Sequence, residues 1–184
     1  MITEIVSFAT TNSVTLSPVE DTLYLVNCAS RVGKVPEASN TLVVTLAHPD
    51  VTCHIYCGYK VERGDAVNLA TTIIHTAART SSTTIIRGVL FAGGVSNYVG
   101  RIVMNHAAQG SSARLDDKTL VVGEGTRNHA EPSMQIEANE VTASHASSTG
   151  PVDGAQLYYL QSRGLSHAEA QTVLVDAFLT LPKV

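Results

Sequence analysis

The chain has 184 residues, a net charge of −4 and three cysteines, and it begins Met-Ile-Thr-Glu without a basic segment or a long apolar run. A slightly acidic chain lacks the basic patch of a nucleic-acid-binding protein, and no segment is long and apolar enough to predict a membrane span. An odd number of cysteines without an export signal predicts reduced thiols and a cytoplasmic protein. Aromatic residues are only 5% of a chain that is 44% apolar, so aliphatic side chains must form most of the core.

Short β-branched segments follow one another through the first 140 residues. They are TLYLVN, TLVVTL, VTCHIYCGYKV, TTIIHTA, TTIIRGVLF, RIVMNH, TLVVGE and SMQIEA. No amphipathic helix separates them, and the only Asn-Gly or Asp-Gly pair, Asp153-Gly154, follows the last of them. A sandwich with long loops and a parallel β-helix both remain possible. The scarcity of aromatic residues favours the β-helix, although the irregular spacing of the segments does not reveal a repeat.

The segment Cys53-His54-Ile55-Tyr56-Cys57 first suggests a metal site. In a strand, however, Cys53 and Cys57 are about 13 Å apart, too far for one tetrahedral ion, whose sulfur ligands lie about 2.3 Å from the metal. Cys53, Ile55 and Cys57 share one face of the strand and are predicted to be core residues. Cys28, at the end of another apolar segment, has the same interpretation.

Other candidate residues for chemistry are sparse. The chain has no P-loop, G-x-S-x-G or H-E-x-x-H motif, so it is not itself a P-loop ATPase. Asp116-Asp117-Lys118 is the nearest approach to a carboxylate-rich lyase site, and we interpret it as a solvated turn. His106, His129 and His145 lie at or near strand ends, where stacked coils could bring distant residues together, but the sequence alone assembles no site from them.

The pattern changes to helical after Pro151. Asp153 is a predicted N-cap with Gln156 three residues on, and Gly164 is a predicted C′ residue with Leu165 placed to contact Leu160. Ser166 and Glu169 form a second capping pair. The second helix has an apolar face of Ala170, Val173, Leu174, Ala177, Phe178 and Leu181. The two helices are either a cap over the open end of the strand domain or a partner-docking element, and the pattern does not decide.

The segment from Ala143 to Leu179 resembles the C-terminal signature of the SufB/SufD family of iron–sulfur cluster assembly proteins. That signature has an S-H-x-x-[ST] segment followed by D-x-x-Q-L-x-Y-L-x-S-R-G-[IL]-S. The matching residues are Ser144, His145, Ser148, Asp153, Gln156, Leu157, Tyr159, Leu160, Ser162, Arg163, Gly164, Leu165 and Ser166. Upstream, the segment from Ser96 to Gly125 is similar to the family's S-x-x-x-G-x-I region, and Pro132 and Ile136 match its P-x-L-x-I strand.

The resemblance implies a right-handed parallel β-helix over residues 1–152 and a helical docking or capping region over 153–184. It implies a non-catalytic scaffold that binds a SufC-like ABC ATPase through the helices and pairs with a SufB/SufD-like subunit or with itself. The implied ATPase contacts are Tyr158, Tyr159, Arg163, Gly164, Leu165, Ser166 and Phe178.

The resemblance also implies that His145 lies where a transient iron–sulfur cluster forms, without a tightly bound cofactor. This chain has Ala143 where D-type members often have cysteine and Ala146 where B-type members have glutamate, so only His145 is retained. His145 either marks the last coil at the pairing surface or simply caps that coil. Two alternatives to an active scaffold remain: a diverged paralogue without cluster chemistry, and a β-helix that binds or cleaves carbohydrate.

Overall fold

The computed structural model describes residues 1–8, 12–28, 31–32 and 40–180. The elements in order are β1 (Ile2–Ser7), β2 (Ser13–Leu16), β3 (Thr22–Asn27), β4 (Arg31–Val32), β5 (Asn40–Leu46), β6 (Thr52–Val61), β7 (Asp65–His75), β8 (Ser81–Leu90), β9 (Val95–Met104), β10 (Ser112–Val121), β11 (Arg127–Ile136), β12 (Thr142–Pro151), α1 (Gly154–Ser162) and α2 (His167–Leu179). No helix within these ranges is long and apolar enough to cross a bilayer.

Apart from the two-residue β4, successive strands alternate between two sheets. Sheet A has the order β1-β3-β6-β8-β10-β12, and sheet B has the order β11-β9-β7-β5-β2. All of these pairings are parallel, whereas β4 makes a short antiparallel pairing with β7. The chain therefore winds as a parallel β-helix, which confirms the predicted fold class and excludes the sandwich.

A hidden repeat relates the coils. Thr52 pairs with Ser81, Ser81 with Ser112 and Ser112 with Thr142, which are offsets of 29, 31 and 30 residues. The turns that follow β6, β8 and β10 span residues 62–64, 91–94 and 122–126 and so differ in length. These unequal turns explain why the spacing in the sequence conceals the repeat.

Alternating side chains of both sheets fill a narrow core. Cys53, Ile55 and Cys57 point inward and are at most 1% exposed, which confirms the prediction for this strand. Tyr59 and Tyr98 are also buried, and each phenol has a hydroxyl partner 2.7 Å away, Ser96 for Tyr59 and Thr71 for Tyr98.

Two glycines make room for these rings. A Cβ atom at Gly88 would lie 2.7 Å from the Tyr59 ring, and one at Gly100 would lie 2.8 Å from the Tyr98 hydroxyl. The core is therefore mainly aliphatic, as the composition predicts, and Tyr59 and Tyr98 each lie against a glycine, Gly88 on the neighbouring strand and Gly100 on the same strand.

Candidate functional site

The last coil forms an open end of the β-helix. β11 and β12 are the outermost strands of their sheets, with no further strand beyond them among the described residues. Met134 and Ile136 pair with Ile102 and Met104, which are at most 1% exposed, yet Met134 and Ile136 are 40% and 43% exposed. Their register positions are those of the core, so their exposure means that an apolar surface is uncovered at this end.

His145 lies at this open end. It belongs to β12, where it pairs with Leu115, and Leu115 pairs with Thr84. Leu115 and Thr84 are both 1% exposed, whereas His145 is exposed. The structure therefore places His145 in an inward-facing register column, at the last coil, where that column is open to solvent.

A buried carboxylate lies one coil deeper. Asp117 pairs with Ser147 in register and is only 1% exposed, and its Oδ2 accepts a hydrogen bond of 3.0 Å from the Ser147 hydroxyl. Its Oδ1 has no hydrogen-bond partner within the described part of the chain. Burial raises the pKa of Asp117, although the Ser147 hydrogen bond opposes that shift.

The predicted solvated turn at Asp116-Asp117-Lys118 is therefore wrong. These residues lie in β10, and Asp116 is 7% exposed. Arg87 donates from Nη1 to the Asp116 carboxylate at 2.9 Å and to its backbone carbonyl at 3.2 Å. A charged triplet in the sequence resembles a solvated turn because nothing nearby in the sequence shows that a cation pairs with it. Here the cation is Arg87, 29 residues away in sequence.

Local signals at the helices are confirmed. The Asp153 side chain accepts from the backbone amides of Ala155 and Gln156, and Ser166 and Glu169 form a reciprocal capping box. Gly164 has φ of +99°, and its amide and that of Leu165 donate to carbonyls in the last turn of α1. These two bonds form a Schellman motif, which turns the chain sharply between the helices.

α2 lies on the outer face of sheet A, because its C-terminal half contacts the middle strands β6 and β8. Lys60 Nζ is 2.9 Å from Asp176 Oδ1, and the Tyr56 hydroxyl donates to the Leu179 carbonyl. The Arg87 guanidinium lies 6.0 Å from the centre of the Phe178 ring. α2 thus lies along sheet A rather than over the last coil, which counts against the end-cap interpretation.

The apolar face predicted for α2 is partly wrong. Ala170 and Val175 are buried, but Val173 is 45% exposed and Ala177 is also exposed. Leu181 lies outside the described residues. The sheet and α1 contact the helix from different sides, so the buried positions do not follow a single helical stripe.

The predicted docking residues are mostly on the free side of the helices. Tyr158 and Tyr159 are 75% and 56% exposed, and α1 buries none of its residues. The Arg163 guanidinium lies 5.0 Å from the centre of the Tyr159 ring. Phe178 differs from the rest, because its ring contacts Arg87 of this chain's own sheet.

A shallow groove runs between the two helices. It has a volume of about 420 Å³ and is lined by Ala155, Gln156, Tyr159, Leu160, Val173 and Leu174. The lining is almost entirely apolar, and two of its residues, Tyr159 and Val173, are exposed. Sequence reasoning missed this groove because it depends on the angle at which the two helices meet.

Comparison with known proteins identifies similar sequences. Residues 34–178 match the family model described as "SUF system FeS cluster assembly, SufBD core domain". The iron–sulfur cluster assembly protein SufD of Bacillus subtilis is 36% identical over 122 residues, which cover 65% of this chain and 28% of that protein. A SufBD family protein of Mycobacterium leprae is 33% identical over 107 residues, which cover 58% of this chain and 12% of that protein. The chain thus spans little more than a quarter, or less, of the length of these relatives.

Proposed function

This chain belongs to the SUF-system SufBD core family, and we propose that it is a non-catalytic scaffold of iron–sulfur cluster assembly whose C-terminal helices bind an ABC-type ATPase subunit. The observation behind the proposal is the exposed apolar surface of the helices. Tyr158, Tyr159 and Val173 are 75%, 56% and 45% exposed, and an apolar groove separates α1 from α2. Tyrosine and arginine are enriched among residues that dominate binding energy at interfaces, and Tyr159 lies beside Arg163 here.

The way the helices are held supports a docking role. The C-terminal half of α2 is joined to sheet A by contacts with Lys60, Tyr56 and Arg87. The opposite side of the helical pair thus presents its tyrosines from a fixed position, which reduces the entropy lost on binding.

Deletion of residues 153–184 tests the ATPase contact. We expect co-purification with a SufC-like ATPase to be lost while circular dichroism still shows the β-helix. Tyr158→Ala with Tyr159→Ala should weaken binding at least tenfold, and Glu62→Ala, at an exposed position of the turn after β6, is the control. Full ATPase binding after the deletion would overturn the proposal, and loss of the whole fold would instead favour a structural role for the helices.

We further propose that the open end pairs with a SufB/SufD-like subunit or with a second copy of this chain. Two unpaired strand edges lie together there, next to Met134 and Ile136, and exposed edges of this kind attract other chains. Light scattering should show a dimer that Met134→Asp with Ile136→Asp dissociates. Val99→Asp, at another exposed position of sheet B, should leave the dimer intact. A monomer at high concentration would contradict self-pairing.

His145 is the residue we propose to contact the cluster, which is cargo rather than a resident cofactor. The described residues contain no group of three or more potential ligands that could hold a metal ion. A paired subunit would therefore have to supply the remaining ligands, and an isologous pairing would bring two His145 residues toward the two-fold axis.

A diverged paralogue without cluster chemistry is the second candidate, and Ala143 in place of the cysteine favours it. Anaerobic reconstitution followed by iron and sulfide analysis separates the two. A scaffold should retain both iron and sulfide, and His145→Ala should retain less of each. ATPase binding without bound iron or sulfide would instead support the paralogue.

The carbohydrate lyase alternative loses its candidate residues. Asp116 and Asp117 are buried in β10, and Asp116 is paired with Arg87. Neither carboxylate is open to a polysaccharide on the surface of the β-helix.

A further inference from the structure

Two thiols are in contact inside the N-terminal coils. Cys57 lies in β6 and Cys28 directly follows β3, its parallel neighbour in sheet A. Their Sγ atoms are 3.0 Å apart, and both residues are buried. We propose that Cys28 and Cys57 form a redox-sensitive pair that closes to an intramolecular disulfide and links two adjacent coils.

The geometry requires only a small rearrangement. Cys57 pairs with Val26, two residues before Cys28, so the two side chains approach each other diagonally across neighbouring strands. The sulfur atoms would have to approach by about 1 Å to reach the S–S bond length of about 2.05 Å. The bond would close a loop between positions 29 residues apart, which is one turn of the β-helix.

The third cysteine offers an internal control. Cys53 is also in β6, faces the core and is 0% exposed, but it pairs with Thr22. Its sulfur has no thiol within hydrogen-bonding distance in the described ranges. Burial alone therefore does not distinguish Cys57 from Cys53, whereas the contact with Cys28 does.

Metal binding is a weaker explanation for this contact. The described residues contain no cluster of three or more metal-ligating side chains, and a structural tetrahedral site needs four ligands. A pair of thiols in direct contact has the composition that a disulfide requires.

The reaction balances as a two-electron exchange with a low-molecular-weight disulfide. One protein thiolate attacks that disulfide and releases one small thiol, and the second protein thiol then displaces the other. Both protein sulfurs are oxidised, the small disulfide is reduced to two thiols, and the two protein protons end on those thiols.

Closure should be slow in the folded protein. The hydrogen bond with Cys28, together with burial, raises the pKa of Cys57, so little of the reactive thiolate exists at neutral pH. Oxidation therefore depends on local opening of β3 and β6. Once formed, the link should resist reduction, because burial also keeps a reductant away from its sulfur atoms. The open end at β11 and β12 lies at the other side of the stack and should not be affected.

The test uses the whole chain with oxidised glutathione, followed by denaturation, alkylation and peptide mass mapping. We expect a peptide pair linked through Cys28 and Cys57, lighter by two hydrogens than the reduced peptides, with Cys53 alkylated. Cys53→Ser should still form the link, whereas Cys28→Ser and Cys57→Ser should each abolish it. Alkylation of all three cysteines after prolonged oxidant treatment, or a link that uses Cys53 equally, would overturn the proposal.

Thermal unfolding gives a second measurement. Oxidation should raise the melting temperature of the unmodified chain and of Cys53→Ser, and the reductant dithiothreitol should reverse the rise. Oxidation should leave the melting temperature of Cys28→Ser unchanged, and this comparison holds even if Cys57→Ser fails to fold. A melting temperature that oxidation leaves unchanged, in spite of a mapped Cys28–Cys57 link, would show that the link does not stabilise the coils and would overturn its structural role.

Discussion

The central coils and the last coil have the same register but opposite surroundings. Met104 and Met134 both face inward from sheet B, yet Met104 is 0% exposed and Met134 is 40% exposed. Leu115 is buried, and His145 beside it in sheet A is exposed. The difference shows that burial in a β-helix depends on whether another coil follows, so the last coil presents core positions as a surface.

The largest expected effect compares two methionine truncations across this boundary. Met104→Ala should lower the free energy of unfolding by about 2–5 kcal/mol, because it leaves a cavity in a closed core. Met134→Ala should cost about 1 kcal/mol or less, since its side chain is already partly in water. Urea unfolding at low protein concentration measures both.

Equal losses for the two methionines would contradict the comparison. They would mean that the last coil is covered in solution, as self-pairing would cause. Dilution of the protein should then restore the difference, because pairing weakens as the concentration falls.

The second prediction concerns Arg87, which joins the central coils to α2. Its guanidinium binds Asp116 and lies over Phe178 of α2, and the side chains of Arg87 and Asp116 are 15% and 10% exposed. Arg87→Ala should cost about 3 kcal/mol, the lower end for a broken buried pair, because Arg114 still contacts Asp116. It should also speed hydrogen exchange in α2.

Arg79→Ala is the matched control, since Arg79 forms an ion pair with Asp50 that is exposed to solvent. It should change stability little and leave exchange in α2 unaltered. Unchanged exchange in Arg87→Ala would show that other contacts hold the helix on the sheet.

Sequence reasoning succeeded where structure is local and failed where it depends on a neighbouring coil. The alternation of Cys53, Ile55 and Cys57 predicts a half-buried strand, and the caps at Asp153 and Ser166 depend only on residues within one turn. The Ser-, Thr- and Ala-rich β12 has no such alternation, so its sequence does not predict a strand. It is a strand because it pairs with β10. The side of α2 that is buried likewise depends on Arg87 and Tyr56, which are distant in sequence.

The functional site was predictable to a similar degree. The adjacency of Tyr158 and Tyr159 on a short helix prevents both from facing one core, which predicts that at least one is exposed; in the structure both are. The buried Asp117 behind Ser147 was not predictable, because a charged residue in a polar stretch has the pattern of a turn. Only the stacking of β12 on β10 reveals that it is enclosed.

A third prediction uses Asp117, which lies at the boundary between the closed core and the last coil. Burial raises its pKa, so the folded state binds its proton more tightly than the unfolded state does. The ionised carboxylate therefore destabilises the fold above the raised pKa, and stability recovers as the pH falls toward the unfolded value. Asp117→Asn should raise the free energy of unfolding at neutral pH and remove this pH dependence.

Asp116→Asn should change the free energy of unfolding at neutral pH with the opposite sign. Burial would raise the pKa of Asp116, but the charge and hydrogen bond of Arg87 outweigh it and hold that pKa below its usual value. Its stabilisation is present above the unfolded pKa and is lost as the pH falls through the folded pKa. Urea midpoints across the acidic range measure both variants, and a less stable Asp117→Asn at neutral pH would show that the buried anion has a favourable partner.

The smallest expected effect is at Lys60, the exposed counterpart of Arg87. Lys60 and Asp176 also join sheet A to α2, at 2.9 Å, but their side chains are 42% and 61% exposed. Water and salt screen such a pair, so Lys60→Ala should cost about 0.5 kcal/mol, and the cost should shrink in concentrated salt. Asp176→Ala should cost the same, and the double variant should cost no more than either single one if the pair is the only interaction lost. Urea unfolding at low and high salt measures this cycle, with hydrogen exchange reporting on α2. A loss as large as that of Arg87→Ala would mean that the exposed contact, rather than the buried one, holds the helices in place for a partner.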